Sequence, residues 1–275
     1  SARILLNSKS PYHENGLGNS SNMVGKYLHD STGTNNLAFI PDLMNRKTYN
    51  EDGMGNMHLY SPWWLDNKNL DFPRGYHIEI YGGLGAPSYG TGFNFNSLNS
   101  FFGIEVGGYG DRVRDEVKKY YGSTIGFNTR GESVPNINNY CEIDPEKKDK
   151  YGIPVLRFNY NWSDYERRQA NHMNETVKEI VHNIGGHMLW ENGGPDNGLL
   201  TPGEVIHEVG TTRMGSDPKT SVVNEYEQLH DAKNVFIVDG GPFVSQADKN
   251  PTWTIMALSW RTSEFIIDQL KKQNI

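Results

Sequence analysis

A chain of 275 residues that is 36% hydrophobic is long enough for one large domain or two ordinary ones, with a sizeable buried core. Its net charge of −7 argues against the broad basic surface that binds nucleic acid or an anionic membrane, so a small neutral or polar ligand fits better. The single cysteine, Cys141, excludes an intrachain disulfide framework and a multi-cysteine zinc site, so any redox chemistry must come from a cofactor.

The first part of the chain is predicted to contain little regular structure. Residues 1–8 enter an apolar stretch without an initial methionine, and residues 1–30 lack the order of segments found in a signal peptide. We therefore expect a fragment of a longer protein, and the compartment, periplasmic or cytoplasmic, stays open. Residues 11–58 are rich in Gly, Asn, Ser and Asp, which favours turns and an extended connection. No apolar run approaches the roughly eighteen residues that span a bilayer.

The middle of the chain alternates with the period of β-strands between about residues 74 and 160. The apolar positions of this pattern include Tyr76, Ile78, Ile80, Leu156, Phe158 and Tyr160. The alternation predicts an antiparallel sheet with one covered face, and its mixed face is a candidate substrate wall. A short helix is predicted over about residues 111–121, between these strands.

Two longer helices are marked by their ends. The first begins at Ser163, which has with Glu166 the S-x-x-E spacing of a capping box, and it ends at a Gly-Gly pair. Its apolar stripe is predicted to pack in the core and consists of Met173, Val177, Ile180, Val181 and Ile184. The second helix opens with Asn250 as N-cap and Pro251 as first helical residue, and it continues almost to the end of the chain.

Two segments bear on whether this chain binds a nucleotide: a predicted buried strand and an incomplete phosphate-binding motif. Residues 234–241 form an apolar run containing Asp239 and Gly240 at its end, which is typical of a buried parallel strand whose carboxyl end binds ligands. Residues 83–88 contain two glycines of a dinucleotide-binding fingerprint but lack the third, and Pro87 lies where the helix should start. The chain by itself has no recognisable site for the ADP half of a dinucleotide.

Two further groups of side chains leave their roles open. Tyr60, Trp63 and Trp64 fit either core packing or stacking on a sugar ring. The histidines show no pair with the i, i+4 spacing of a helical metal site, so no metal site is predicted.

The last seventy residues carry an ordered set of short motifs. H-x-x-G-T begins at His207, an Asp-Gly pair follows at Asp239 and Gly240, and N-P-T begins at Asn250. These motifs resemble the C-terminal signature of the glucose-methanol-choline (GMC) oxidoreductases, whose members oxidise alcohols and sugars with FAD. In that family a histidine and a second His or Asn lie a little over forty residues apart, and His207 and Asn250 are 43 residues apart.

The other end of the chain supports the resemblance. Residues 1–8 resemble the latter half of the family's second signature, and residues 15–25 resemble the segment that comes after that signature. The middle of the chain resembles the family only weakly. The resemblance implies that the ADP-binding motif of FAD lies in a preceding N-terminal half of the flavin domain, which would then be a partner of this chain.

The resemblance also assigns roles to site residues, and their chemistry agrees with it. A neutral imidazole suits removal of a hydroxyl proton near pH 7, so His207 is the expected catalytic base. Asn250 is expected to hold the substrate hydroxyl so that its C–H faces the flavin N5. Backbone N–H groups at the helix start after Pro251, with Thr252 as the first donor, are expected to stabilise negative charge on the reduced flavin.

The implied fold is α/β plus α+β, in which part of an FAD-binding doubly wound domain is interleaved with a substrate domain of mostly antiparallel sheet. Residues 1–30 would end the preceding flavin portion, residues 31–205 would form the substrate domain, and residues 206–275 would return to the flavin domain. Asp239 and Gly240 are expected near the ribityl-pyrophosphate portion of the cofactor.

The implied function is oxidation of an alcohol group of a sugar or polyol, with hydride transfer to FAD. The middle of the chain is most similar to bacterial sugar or glycoside dehydrogenases, which favours a dehydrogenase over an oxidase, and a protein electron acceptor is a further candidate partner. The alternative is a non-catalytic carbohydrate-binding or interaction module that retains only the scaffold. Without an ADP-binding motif, the catalytic pair does not predict activity of this chain by itself.

Overall fold

The structure is a computed structural model that describes residues 1–44, 59–61, 69–82, 95–103, 105–107, 109–191 and 198–275. The glycine-rich segment at 83–88 and the side chains of Trp63 and Trp64 lie outside the described residues. The chain divides into two compact units, each assembled from segments that are distant in sequence. The first unit contains residues 1–31, 132–162 and 202–275, and the second contains residues 32–131 and 163–201.

Helices and strands alternate along the described chain in a mixed α/β order, with a short 3₁₀ turn at Pro41–Leu43. The helices are α1 (Ala2–Asn7), α2 (Phe95–Phe102), α3 (Asp111–Tyr120), α4 (Asp164–Asn183) and α5 (Thr252–Lys271). The strands are β1 (Thr32–Phe39), β2 (Leu59–Ser61), β3 (Tyr76–Gly82), β4 (Thr124–Gly131), β5 (Tyr140–Lys148), β6 (Pro154–Asn159) and β7 (His187–Glu191). The predicted helix at 111–121 is confirmed as α3.

The second unit is built on an antiparallel sheet with strand order β2-β3-β4-β1-β7, and α4 packs against it. Tyr76 and Ile78 of β3 lie in a core with the apolar stripe of α4, as the alternation predicted. The opposite face of β3 differs from the prediction, because His77 and Glu79 are also buried and lie 3.4 Å apart, Nε2 to Oε1. At these positions the face that was predicted to be uncovered is therefore covered, and its role as a substrate wall stays a prediction.

The ends of α4 are set by local sequence, and both predictions for them are confirmed. The carboxylate of Glu166 accepts the Ser163 backbone N–H at 2.8 Å, and the Ser163 hydroxyl caps the first turn. Beyond the helix, Gly185 has a φ of +69°, which ordinary side chains rarely adopt. Ile184 is 44% exposed, so the apolar stripe ends one turn earlier than predicted. Its fully buried members are Met173, Val177 and Val181.

The first unit has its own core around α1 and the antiparallel hairpin β5–β6. Its buried members come from all three segments of the unit and include Leu5, Leu6, Val24, Cys141, Val223, Leu229 and Ile237. The predicted apolar face of β6 is wrong at Phe158, which is 62% exposed. Within the described ranges β6 pairs with β5 alone, and the Phe158 ring lines a cavity of this unit and is not packed in its core.

The buried parallel strand predicted at residues 234–241 is not formed in the structure. Ile237 is buried, but Val238 is half exposed, and the only β-bridge of the segment is an antiparallel one between Gln228 and Phe236. A buried parallel strand requires neighbouring strands on its flanks, and an apolar run cannot reveal whether they are present. All the named strands of the structure pair antiparallel.

Helix α5 ends as predicted but begins differently. Pro251 occupies the N-cap position in a helical conformation, and no side chain caps the helix, so the predicted capping role of Asn250 is wrong. Thr262 is the one fully buried residue of α5, whereas Trp253 and Trp260 are mostly exposed. No helix in the described ranges is long and apolar enough to cross a membrane.

Candidate functional site

The H-x-x-G-T segment is attached to a buried carboxylate that the motif did not predict. Asp30 is fully buried, and its two carboxylate oxygens accept the backbone N–H groups of Ser31 (2.8 Å), Gly203 (3.1 Å) and His207 (3.0 Å). Burial raises the pKa of Asp30 to about 6, because desolvation outweighs these three hydrogen bonds, and the charge of Glu208 adds to the rise. Asp30 therefore fixes the backbone at His207.

The same segment pairs with residues 25–29 of the first unit. His29 and Val209 exchange backbone hydrogen bonds of 3.1 and 2.8 Å, and Thr211 N–H donates to the Lys26 carbonyl at 3.1 Å. Gly210 lies between these pairs with a φ of +88°, and a Cβ there would overlap the carbonyl oxygen of Tyr27. The glycine of the motif is thus required by backbone geometry as well as by close packing.

The backbone before His207 is strained. Ile206 has a φ of +59°, which is unfavourable for a β-branched residue, and its side chain is 77% exposed. Such strain persists only where the surrounding structure over-determines the backbone, as the Asp30 hydrogen bonds do here. The strain and the buried anchor together define the path of the backbone at His207.

The His207 ring is partly buried and lies beside a short chain of polar side chains. Its Nδ1 is 3.4 Å from the hydroxyl oxygen of Ser31, which is fully buried. The same hydroxyl accepts a hydrogen bond of 2.9 Å from Nε2 of Gln246, which is also buried. Gln246 lies four residues before Asn250. The contacts from His207 through Ser31 to Gln246 therefore connect the two parts of the C-terminal signature.

Gly240, which follows Asp239, is hydrogen-bonded to the segment that begins at His207. Gly210 N–H donates to the Gly240 carbonyl at 3.1 Å. Burial favours a higher pKa for Asp239, but hydrogen bonds from Ser1 (2.6 Å from its hydroxyl) and from Gly241 N–H (2.8 Å) outweigh it and lower the pKa of this carboxyl. Asp239 therefore stays ionised near neutral pH.

The segment after His207 and the Asp239–Gly240 pair line a cavity of about 300 Å³ within the first unit. Its wall combines charged and apolar groups, among them Glu208, Val209, Thr211, Asp239 and Gly240. A cavity of this size is at the small end of small-molecule sites.

The structure leaves Asn250, Pro251 and Thr252 at the start of α5, where Asn250 and Thr252 are exposed. The sequence predictions missed Asp30, Ser31 and Gln246. No local pattern marks them, because each acts through a residue more than 170 positions away. In the described ranges, no cluster of three or more His, Cys, Asp or Glu side chains suits a metal ion.

Comparisons with curated proteins point to one family. Residues 135–259 match the family model described as GMC oxidoreductase. The chain is 30% identical to 2-methyl-1,2-propanediol dehydrogenase of Mycolicibacterium austroafricanum, over 96% of this chain and 45% of that protein. It is 24% identical to the fructose dehydrogenase large subunit of Gluconobacter japonicus, over 98% of this chain and 46% of that protein. The chain thus spans less than half the length of these relatives.

Solved structures agree with this assignment at the level of the fold. Pyridoxine 4-oxidase from Mesorbium loti aligns with a TM-score of 0.54 and 15% identity, over 88% of this chain and 43% of that one. Formate oxidase from Aspergillus oryzae RIB40 aligns with a TM-score of 0.55 and 12% identity, over 92% of this chain and 48% of that one. The chain is thus similar to GMC oxidoreductases and matches the C-terminal portion of that family.

Proposed function

We propose that this chain is part of an FAD-dependent oxidoreductase that oxidises an alcohol group of a sugar or related polyol. The observation that carries the proposal is the placement of His207 on a strained segment, which Asp30 fixes and which is hydrogen-bonded through Gly210 to Gly240. Two relatives support the substrate class, since one is named for a diol and one for a sugar. Bound FAD would supply the acceptor for the hydride.

The proton chemistry falls to His207. The C–H bond of a carbinol breaks readily only if the hydroxyl proton leaves in the same event or nearly so. A neutral imidazole can take that proton near pH 7, and the anchored backbone keeps its position constant through the reaction. We assign His207 as the base.

Asn250 is proposed to orient the hydroxyl. Its side-chain amide can donate or accept a hydrogen bond without competing for the proton. Because Asn250 does not cap α5, its side chain is not committed to the helix end. The loop that carries it is tied through Gln246 to Ser31, beside His207.

The cofactor contacts are proposed to come from two places in the first unit. Asp239 and Gly240 would hold the ribityl-pyrophosphate portion at the cavity they line. The first turn of α5 leaves N–H groups without intrahelical partners, and Thr252 would offer the first of these because Pro251 has none. These groups would stabilise negative charge on the reduced ring.

The two units are proposed to have different roles, one in binding the flavin and one in binding the substrate. The first unit would belong to the flavin domain and the second to the substrate domain. This assignment moves residues 132–162, which include the β5–β6 hairpin, from the substrate domain expected over residues 31–205 to the flavin side.

The test is to express the chain alone and within the longest reading frame that contains it, and to record flavin absorbance. Anaerobic mixing with a panel of sugars and polyols then measures the rate of flavin reduction. We expect His207→Ala to lower this rate by about 10²-fold or more. His13→Ala, in a turn of the same unit, is the matched control and should leave the rate unchanged.

Two results would overturn the proposal. A longer protein that stays colourless and reduces no dye with any alcohol would favour a non-catalytic carbohydrate-binding module. A His207→Ala protein that binds flavin and is reduced at a near-normal rate would remove His207 as the base.

A further inference from the structure

We infer that Ser31 and Gln246 are positioning residues that set the tautomer of His207, so that Nδ1 carries the proton and Nε2 receives the one from the substrate. The inference rests on the proposed role of His207 as base. It assigns roles to two residues that lie outside the H-x-x-G-T, Asp-Gly and N-P-T motifs.

The geometry restricts what the Ser31 hydroxyl can do. Its oxygen lies 3.4 Å from His207 Nδ1 and 2.9 Å from Gln246 Nε2, in a fully buried position. The backbone N–H groups of Ser31 and His207 both donate to the same oxygen of Asp30, at 2.8 and 3.0 Å. The hydroxyl and the imidazole are thus attached to one rigid point and keep their separation.

Proton counting selects one arrangement of this pair. A serine hydroxyl has one proton and two lone pairs, and a neutral imidazole has one N–H and one bare nitrogen. If Ser31 donated to Nδ1, the imidazole proton would be on Nε2, and Nε2 could not accept another. If Ser31 accepts from Nδ1–H, Nε2 is the basic nitrogen.

The protonated form of His207 requires the same arrangement, with Ser31 as the acceptor toward Nδ1. After it takes a proton, the imidazolium has N–H groups at both nitrogens, so Ser31 must then be an acceptor toward Nδ1. Only the accepting arrangement serves the base before and after proton transfer without reorganising the site. A preorganised acceptor also favours the charge that develops on the imidazole.

Gln246 completes the arrangement because it controls the Ser31 hydroxyl. As placed, its Nε2–H donates to the hydroxyl oxygen at 2.9 Å, which leaves His207 Nδ1 as the one described acceptor for the Ser31 proton. The other end of the amide, Oε1, is buried and has no hydrogen-bond partner in the structure. A half-turn of the amide would present this oxygen to the Ser31 O–H, since the two ends have almost the same shape. In that turned orientation the Ser31 O–H donates to Oε1 and its oxygen accepts from His207 Nδ1–H, so this is the orientation that the inference assigns to the amide.

The test uses the chain labelled with ¹⁵N in its histidine rings. Two-bond ¹H–¹⁵N spectra at a pH where His207 is neutral report which nitrogen carries the proton, and the signals lost in His207→Gln identify the residue. We expect the Nδ1–H tautomer in the unchanged chain. Ser31→Ala, and more mildly Gln246→Met, should increase the Nε2–H form.

The matched control is Ser133→Ala, because the Ser133 hydroxyl is similarly buried in the same unit and has no hydrogen-bond partner in the part of the chain that the structure describes. It should leave the His207 tautomer unchanged. In the flavin-loaded protein, Ser31→Ala should lower the reduction rate by about 10-fold at unchanged substrate affinity, whereas Ser133→Ala should not.

An Nε2–H tautomer in the unchanged chain would overturn the inference, as would identical spectra for the unchanged, Ser31→Ala and Gln246→Met chains. If Ser31→Ala fails to fold, the unchanged chain and Gln246→Met still decide. Failure of the proposed function is distinguishable: flavin reduction would then be insensitive to His207→Ala whatever the spectra show.

Discussion

Replacing Asp30 with Asn should change how stability depends on pH, in a direction opposite to the replacement of its neighbour His29. Both side chains are fully buried. Burial raises the pKa of Asp30 from 3.8 to about 6, and burial lowers the pKa of His29 from 6.5 to about 4. In the folded state Asp30 therefore loses its proton less readily than in the unfolded chain, and His29 gains one less readily.

The two contributions have opposite signs. The stability associated with Asp30 is fully present below pH 3.8 and is lost as the pH rises through about 6, at a cost of about 3 kcal/mol. The stability associated with His29 is present above pH 6.5 and is lost as the pH falls through about 4, again by about 3 kcal/mol. In the unchanged chain these contributions nearly cancel.

Urea unfolding across this range separates them. Relative to the unchanged chain, we expect the free energy of unfolding of Asp30→Asn to rise by about 2 to 3 kcal/mol between pH 4 and pH 7. For His29→Gln the same difference should fall by a similar amount. Any loss of packing or hydrogen bonds shifts each curve as a whole and leaves its slope unchanged. The double variant should run parallel to the unchanged chain, and single variants that also run parallel would refute the reasoning.

Three further predictions concern the backbone, a helix end and the cysteine. Gly210→Ala should lower the free energy of unfolding in urea by at least about 3 kcal/mol, because its Cβ would meet the Tyr27 carbonyl. Gly152→Ala, at a φ of +80° with open space around it, should lower it by about 1 kcal/mol. Equal losses for the two variants would contradict the packing argument. Ser163→Ala should lower the free energy of unfolding by about 1 kcal/mol through loss of the capping box, and an unchanged urea midpoint would argue against the cap. Burial raises the pKa of Cys141 to about 11, so iodoacetamide at pH 8 should modify it, by mass spectrometry, only after unfolding; rapid labelling of the folded chain would contradict its burial.

The parts of the fold that the sequence predicted correctly depend on neighbours in the chain. A capping box needs only Ser163 and Glu166 three residues apart, and the end of α4 needs only a glycine that accepts a positive φ. The alternation of β3 likewise identified Tyr76 and Ile78 as core residues. Each of these signals is complete within about seven residues, so no tertiary contact is needed to interpret it.

The predictions that were wrong depend on partners far along the chain. Residues 234–241 have the composition of a buried strand, but a strand exists only where other strands meet its backbone, and here one antiparallel bridge does so. The covered face around His77 and the exposed ring of Phe158 show the same limit. Whether a face is covered is decided by what the rest of the molecule places against it.

The candidate site divides in the same way. Sequence alone determined the ordered motifs with His207, Asp239 and Asn250, because their spacing is contained in the chain, and these motifs carry the resemblance to the GMC oxidoreductases; the catalytic roles stay predictions. Only the tertiary structure revealed Asp30 beneath the His207 backbone, with Ser31 and Gln246 beside the ring. These contacts join residues 176 to 215 positions apart. A hydrogen bond across such a separation leaves no periodicity or spacing in the sequence, because folding alone brings its two ends together.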